Sequence, residues 1–291
     1  MIHLRRFRPG DLGLLAVLFG LSVVATMGAW RDIAEQALRD QEQTHILLAL
    51  PVAVWLGVLR RRRLHNFRPK WSMAGPMLML LGWALSLYGF RNGYDLFWHV
   101  GAIGIVVGSV VTVLGVRFIK AFLPSFAALV FLLPVPGRVR GPIAGRLQEV
   151  SARIAEFGLD LIAIPVTRGG NALNVNGTEV LIAEACNGMR MVSALALIAF
   201  AFVFSVPMRN SVRVLILALS PLVALIVNVT RLIPSSLMYG YAEADAAALF
   251  HDISGWVVLG LALVILWGFF ALLRWLEVPI APYTVAEVGQ R

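Results

Sequence analysis

Long apolar runs separated by short polar stretches dominate the chain. Six runs have roughly the 20 residues that an α-helix needs to cross a bilayer. Two shorter runs are bordered by basic residues, which favours their insertion into the membrane. The pattern predicts about eight transmembrane helices, at residues 12–30, 46–59, 71–90, 97–116, 118–133, 189–206, 212–233 and 253–273.

Composition excludes an ordinary soluble protein. Of the 291 residues, 59% are hydrophobic and 14% are charged, whereas soluble domains have about 45–50% apolar and about 25% charged residues. The surplus apolar surface predicts an all-α polytopic membrane protein. The net charge of +9 comes from arginine clusters between the apolar runs, and this distribution indicates membrane topology rather than nucleic-acid binding.

The basic clusters also predict the orientation. Basic side chains cluster at residues 5–8, 60–70 and 117–120, and such clusters favour the cytoplasmic side. Alternation then places three segments outside: residues 31–44, 91–95 and 134–185. The arginines of the last segment are exceptions to the preference of basic residues for the cytoplasmic side, but this preference is weak for long loops.

The outer segment 134–185 has its own predicted structure. Apolar residues recur every three or four positions within residues 142–164, which is typical of an amphipathic helix lying on the outer membrane face. Asn176-Gly177 then separates two short apolar strands, 172–175 and 178–183, as in a β-hairpin with a type I′ turn. We therefore interpret residues 1–291 as one membrane domain, with five helices in 12–133, the extracytoplasmic segment in 134–185 and three helices in 186–276.

Three reactive side chains are predicted at one membrane face. Cys186 lies at the outer mouth of the sixth helix, where the helix dipole favours the thiolate, and Arg190 follows one turn later. The sixth and seventh helices have equal arms, which brings Arg231 to the level of Cys186, and His251 opens the eighth helix at that level. A nucleophile, a proton carrier and a cation for an oxyanion indicate acyl-transfer chemistry. No metal or nucleotide motif is present, so we expect no cofactor.

Plainer interpretations remain open. A buried cysteine is usually a small apolar residue, and arginine or histidine at a helix end often only contacts the interface. The rival function is a non-enzymatic transporter or assembly scaffold in which Arg190, Arg231 and His251 line a polar path. No inverted repeat, which a transporter would favour, is found.

At these residues the sequence resembles the exosortase/archaeosortase family, membrane cysteine transpeptidases that process proteins with a C-terminal sorting signal. The resemblance extends from Thr44 to about Leu273. Its motifs are Thr44-His45, Arg60 to Arg63, Leu133-Pro-Val-Pro136, Arg146-Leu-Gln148, Ile164-Pro-Val166, Gly170-Asn171, Val175-Asn-Gly177, Glu184-Ala-Cys-Asn-Gly-Met-Arg190, Asn228-Val-Thr-Arg231 and His251-Asp-Ile-Ser-Gly255.

The resemblance implies a role for each matching residue. Cys186 would be the nucleophile, Arg231 the catalytic arginine and His251 the general acid and base. Supporting residues would be Arg190, Glu184, Asn187, Asn228 and Asp252. Asn187 stands where serine is usual in the family, which puts the subfamily and the partner in doubt more than the chemistry.

The resemblance also implies the partners and the location. The substrates would be membrane-anchored proteins whose C-terminal sorting signal combines a Pro-Glu-Pro type motif, an apolar helix and a basic tail. Cleavage would pass through a thioester on the extracytoplasmic, periplasmic side of the cell inner membrane. The lipid bilayer is the other expected partner, and no nucleic acid is expected. Two alternatives remain within this resemblance. One is a protease that only hydrolyses the thioester, and the other is an inactive member of the family.

Overall fold

The computed structural model describes residues 9–181 and 188–275, and this part of the chain is mostly helical. Three short 3₁₀ segments, Gln41–Gln43, Arg61–Asn66 and Leu129–Leu132, join some of the helices. The α-helices are α1 (Pro9–Ala25), α2 (Met27–Arg39), α3 (Ile46–Leu59), α4 (Ala74–Asn92), α5 (Asp95–Leu114), α6 (Val116–Ala121), α7 (Leu123–Ala128), α8 (Gly137–Leu161), α9 (Gly188–Ser205), α10 (Asn210–Tyr241) and α11 (Ala244–Trp275).

The chain forms two compact units, Met1–Pro136 and Gly137–Arg291. In the first unit, α4 and α5 pack with their backbones in close contact. A Cβ on Gly101 would lie 2.4 Å from the carbonyl oxygen of Gly82, and one on Gly108 would meet Met79 at 2.6 Å. Glycine is therefore required along this contact, and the glycines of α5 serve internal packing.

The number of predicted membrane spans is larger than the number that the described helices support. Three helices, Asp95–Leu114, Asn210–Tyr241 and Ala244–Leu273, are long and apolar enough to cross a membrane, or up to five if each of two bent pairs is one span. The first predicted span is divided between α1 and α2, which bend by 65°. The fifth is divided into α6, α7 and a 3₁₀ turn. The count of eight helices is not confirmed.

The segment predicted as an outer loop at residues 31–44 is helical as far as Arg39. The buried residues of α2, Ala29, Ile33 and Ala37, recur every four positions and form one packed face of the helix. The loop prediction was wrong here because Arg31, Glu35 and Arg39 lie on the exposed face of a real helix.

In the second unit, α8 packs through three small residues and one leucine. Ser151, Ala152, Ala155 and Leu159 are its buried positions. The apolar residues that predicted the amphipathic helix are mostly exposed, namely Ile143, Val150, Ile154, Phe157 and Leu161. The helix is confirmed with earlier bounds than predicted, and its regular apolar face is not the face that contacts the protein.

A three-stranded antiparallel sheet follows α8, with β1 at Val166–Gly169, β2 at Ala172–Val175 and β3 at Thr178–Leu181 in the order β1-β2-β3. Asn176 and Gly177 have φ angles of 53° and 80°, as a type I′ turn requires. The hairpin prediction is confirmed. Strand β1, which pairs with β2 across the turn at Gly170-Asn171, was not predicted.

The helices α9, α10 and α11 share an apolar core that includes Leu195, Ile216, Val227 and Ala262. The pattern of apolar runs predicts a short outer segment at residues 239–249, between the seventh and eighth helices. This prediction was wrong, since α10 continues to Tyr241 and α11 already begins at Ala244. Alanine is the best helix former, and Asp245 in the first turn favours the helix dipole. These two features extend α11 beyond its apolar run.

Candidate functional site

Arg231 is a buried cation on α10. Its exposed fraction is 3%, and that of Asn228, three residues earlier, is 2%. Residues three positions apart lie on one face of a helix, so the amide and the guanidinium form one polar patch on α10. A buried charge is costly unless other groups compensate it, which marks this patch as a functional candidate.

The guanidinium of Arg231 lies against α11. Its Nη1 atom is 3.2 Å from the position that a Cβ on Gly255 would occupy. This distance is shorter than an ordinary van der Waals contact of a Cβ atom. The guanidinium therefore fits against α11 because Gly255 has no side chain.

His251 is one helical turn before Gly255 and therefore shares its face of α11. The imidazole is half-buried, and its ring centroid is 6.5 Å from that of Tyr239 on α10. The Ser254 hydroxyl donates a hydrogen bond of 2.9 Å to the backbone carbonyl of His251. In the contact between α10 and α11, Arg231 therefore lies against Gly255, and His251 is one turn of α11 away from that position.

The other predicted site residues are placed less completely. Cys186, Asn187 and Glu184 lie outside the described residues, and the side chain of Asp252 does too. Arg190 is half-buried in the first turn of α9. The predicted approach of Cys186 to Arg231 and His251 therefore stays a prediction.

Two serines of α10 were missed in the sequence. Ser235 and Ser236 are fully buried, and neither hydroxyl has a hydrogen-bond partner among the described residues. Ser235 lies four residues after Arg231, on the same face of the helix, whereas Ser236 is turned by about 100°. The four-residue spacing from the arginine could have identified Ser235.

The first unit holds a separate polar pair. The Nε2 atom of His99 on α5 is 2.9 Å from a carboxylate oxygen of Asp32 on α2, and the Gln36 amide donates to the same oxygen at 2.7 Å. His99 is fully buried. The sequence did not predict this pair because Asp32 was assigned to a loop.

A second histidine of the first unit, His45, immediately precedes α3 and is also buried. Burial lowers the pKa of its imidazole from the usual 6.5, and a backbone hydrogen bond at Glu42 raises the pKa by less. The neutral imidazole is therefore the favoured form. Within the described residues, no cluster of three or more His, Cys, Asp or Glu side chains is arranged to hold a metal ion.

Comparison with known proteins gives one result. The family model described as "Transmembrane exosortase (Exosortase_EpsH)" matches residues 30–268, which is most of the chain. Neither a curated protein nor a solved structure matches.

Proposed function

We propose that this chain, which belongs to the transmembrane exosortase family, is a cysteine transpeptidase. Membership in this family makes it an integral membrane protein with a transpeptidase role in general. Its substrates are exported proteins whose C-terminal sorting signal it cleaves. The observation that carries the proposal is the position of Arg231, whose guanidinium lies against Gly255, one turn from His251. A buried cation beside an imidazole is suited to stabilising an oxyanion and moving a proton.

The first half of the reaction forms a thioester. The thiolate of Cys186 attacks the carbonyl carbon of a substrate peptide bond, and the negative charge that develops on the carbonyl oxygen is stabilised by Arg231. The bond between carbon and nitrogen then breaks, and His251 gives its proton to the leaving amine. The released fragment carries the apolar helix and the basic tail of the signal.

The second half restores the enzyme. Water, or an amine or hydroxyl group of an anchoring molecule, gives a proton to His251 and attacks the thioester carbon. The bond between carbon and sulfur breaks, and the thiolate of Cys186 returns. Arg190, Glu184, Asn187, Asn228 and Asp252 support the site by holding these groups in position.

The proposed location is the extracytoplasmic face of the cell inner membrane. The basic clusters at residues 60–63 and 117–120 favour the cytoplasmic side, and alternation of the predicted helices then gives the extracytoplasmic side to the start of the sixth helix. A substrate that is itself anchored by a helix can meet this enzyme by lateral diffusion, so its cleavage motif is presented at a fixed depth.

The test is co-expression with a tagged protein that ends in a Pro-Glu-Pro type signal. Substrate mass is compared among the wild type, Cys186→Ala and Cys186→Ser. We expect the wild type to shorten the substrate at the signal and both variants to leave it whole. Cleavage by either variant at the wild-type rate would contradict the assignment of Cys186, and an unreactive Cys186 thiol in a wild type that cleaves nothing would contradict the function.

A further inference from the structure

Among the residues that the structure describes, no strand pairs with the outer edge of β3. The two-residue turn at Asn176-Gly177 makes Val175 and Thr178 a hydrogen-bonded pair, and in an antiparallel ladder such pairs alternate with pairs that are not hydrogen-bonded. Thr178 and Val180 therefore direct their backbone groups toward β2. Glu179 and Leu181 direct theirs away from the sheet.

These outward groups are available for pairing. In the described part of the chain, the backbone amides and carbonyls of Glu179 and Leu181 have no hydrogen-bond partner. Both residues are exposed, and β3 is the last strand in the sheet order. An edge of this kind can accept one more extended strand.

The strand also runs toward the candidate site. At its turn, the Asn176 side chain donates a hydrogen bond of 3.0 Å to the carbonyl of Gly240 on α10. At its other end, Val180 packs in one core cluster with Leu232, the residue after Arg231. Thus β3 follows α10 from the level of Gly240 to the level of Arg231.

We propose that the outward edge of β3 binds an extended segment of the substrate polypeptide as a fourth strand, an inference that rests on the proposed function. Only a polypeptide backbone offers donors and acceptors at the spacing of Glu179 and Leu181, which excludes a lipid chain as the occupant. A peptide that pairs with β3 would extend toward Arg231. In the sequence, Cys186 follows Leu181 by only five positions. Backbone pairing aligns the scissile bond and leaves most of the binding independent of side chains.

The first test removes one outward amide from the enzyme. In Leu181→Pro the backbone donor is lost at an edge position, where proline is tolerated, while Leu181→Ala removes the side chain and keeps the donor. With a substrate that the wild type cleaves, we expect Leu181→Pro to raise KM roughly two- to tenfold, as for one lost hydrogen bond, with kcat nearly unchanged. Leu181→Ala is expected to stay closer to the wild type. Equal effects of the two variants would overturn the inference.

The second test uses an enzyme with an unchanged edge. Amide hydrogen exchange is measured on the intact Cys186→Ala protein in lipid nanodiscs, with and without the same substrate protein. We expect bound substrate to slow exchange at Glu179 and Leu181, and to leave exchange at the β1 edge, Val166 and Arg168, unchanged. Slower exchange without substrate at high protein concentration would indicate pairing between two copies of β3 and would overturn the assignment to substrate.

The two proposals fail in different ways. A substrate that the wild type cleaves but that leaves exchange at Glu179 and Leu181 unchanged overturns the edge as a binding site and leaves the transpeptidase intact. A wild type that cleaves no sorting signal and whose Cys186 thiol is unreactive overturns both.

Discussion

The guanidinium of Arg231 lies 3.2 Å from the position of a Cβ on Gly255, so the two helices α10 and α11 meet at an arginine and a glycine. A methyl group at Gly255 would displace the guanidinium by a few tenths of an ångström or more. We expect Gly255→Ala to lower the cleavage rate roughly 10- to 100-fold, because small displacements of catalytic groups are costly.

The matched control is Gly260→Ala on the same helix, where a Cβ would meet nothing within 4 Å. Both changes favour the helix by about 1 kcal/mol in propensity, so only the contact with Arg231 differs. Cleavage rates and thermal midpoints of both variants are compared. Equal activity of the two proteins would show that Gly255 is not needed to place the guanidinium.

Arginine is expected to be needed for its shape as well as its charge. Arg231→Ala should reduce kcat roughly 100- to 1,000-fold, the usual loss for one donor to an oxyanion. Arg231→Lys keeps the charge but lacks the planar fork of donors, so it should recover only a small part of the rate. Single-turnover release of the signal fragment measures both. Full activity of the lysine variant would contradict a role for directed hydrogen bonds.

Ser235 and Ser236 offer a paired comparison inside α10. Both are fully buried, but only Ser235 shares the face of Arg231. The Ser235 hydroxyl has no hydrogen-bond partner among the described residues, and we expect it to gain one when substrate binds beside Arg231. Ser235→Ala should then reduce kcat about three- to tenfold, as for one hydrogen bond, and Ser235→Thr, which keeps a hydroxyl, should recover part of the loss. Ser236→Ala should keep the wild-type kcat. Similar losses in both alanine variants would point to a purely structural role.

The lowered pKa of His45 predicts a pH dependence of stability. Above pH 6.5 the imidazole is neutral in both the folded and the unfolded chain. As the pH falls below this value, the unfolded chain takes up a proton that the folded chain does not, so stability is lost until the pH reaches the lowered pKa of the folded state.

The measurement is the thermal midpoint in detergent at about pH 7.5 and about pH 5.5, on either side of the usual histidine pKa. We expect the midpoint of the wild type to fall at the lower pH. The fall should be smaller in His45→Gln, whose side chain does not titrate. An equal fall in both proteins would assign the effect to other groups, with the pair of His99 and Asp32 as the next candidate.

Local chemistry made some elements predictable. The hairpin follows from Asn176-Gly177, because the positive φ angles of its turn suit these two residues almost alone. Helix α3 was predicted with its observed ends because its apolar run is bounded by polar residues on both sides. Strand β1 was missed because its pairing depends on β2, a partner that periodicity alone does not reveal.

Other features depend on what each face meets. The apolar period of α8 predicted a helix correctly, but the face with Ile143 and Phe157 is exposed while Ala152 and Ala155 pack inside. A sequence pattern cannot distinguish apolar residues that meet lipid from those that meet protein. In the site, the equal arms of the sixth and seventh predicted helices predicted Arg231 at the level of Cys186, and the start of the eighth helix predicted His251 there. In the structure the guanidinium of Arg231 lies against Gly255, one turn after His251. The place of Cys186 beside them stays a prediction.

The glycines of α4 have a consequence for biosynthesis. Gly75, Gly82 and Gly89 are its buried residues, seven positions apart, and a Cβ on any of them would lie within 2.8 Å of the backbone or side chain of α5. The short turn at Gly93 and Tyr94 leaves almost no chain between the two helices. They therefore leave the ribosome within seconds of each other and are expected to partition into the bilayer as one preassembled hairpin. A large residue at Gly82 would remove the close contact with Gly101 on which this hairpin depends.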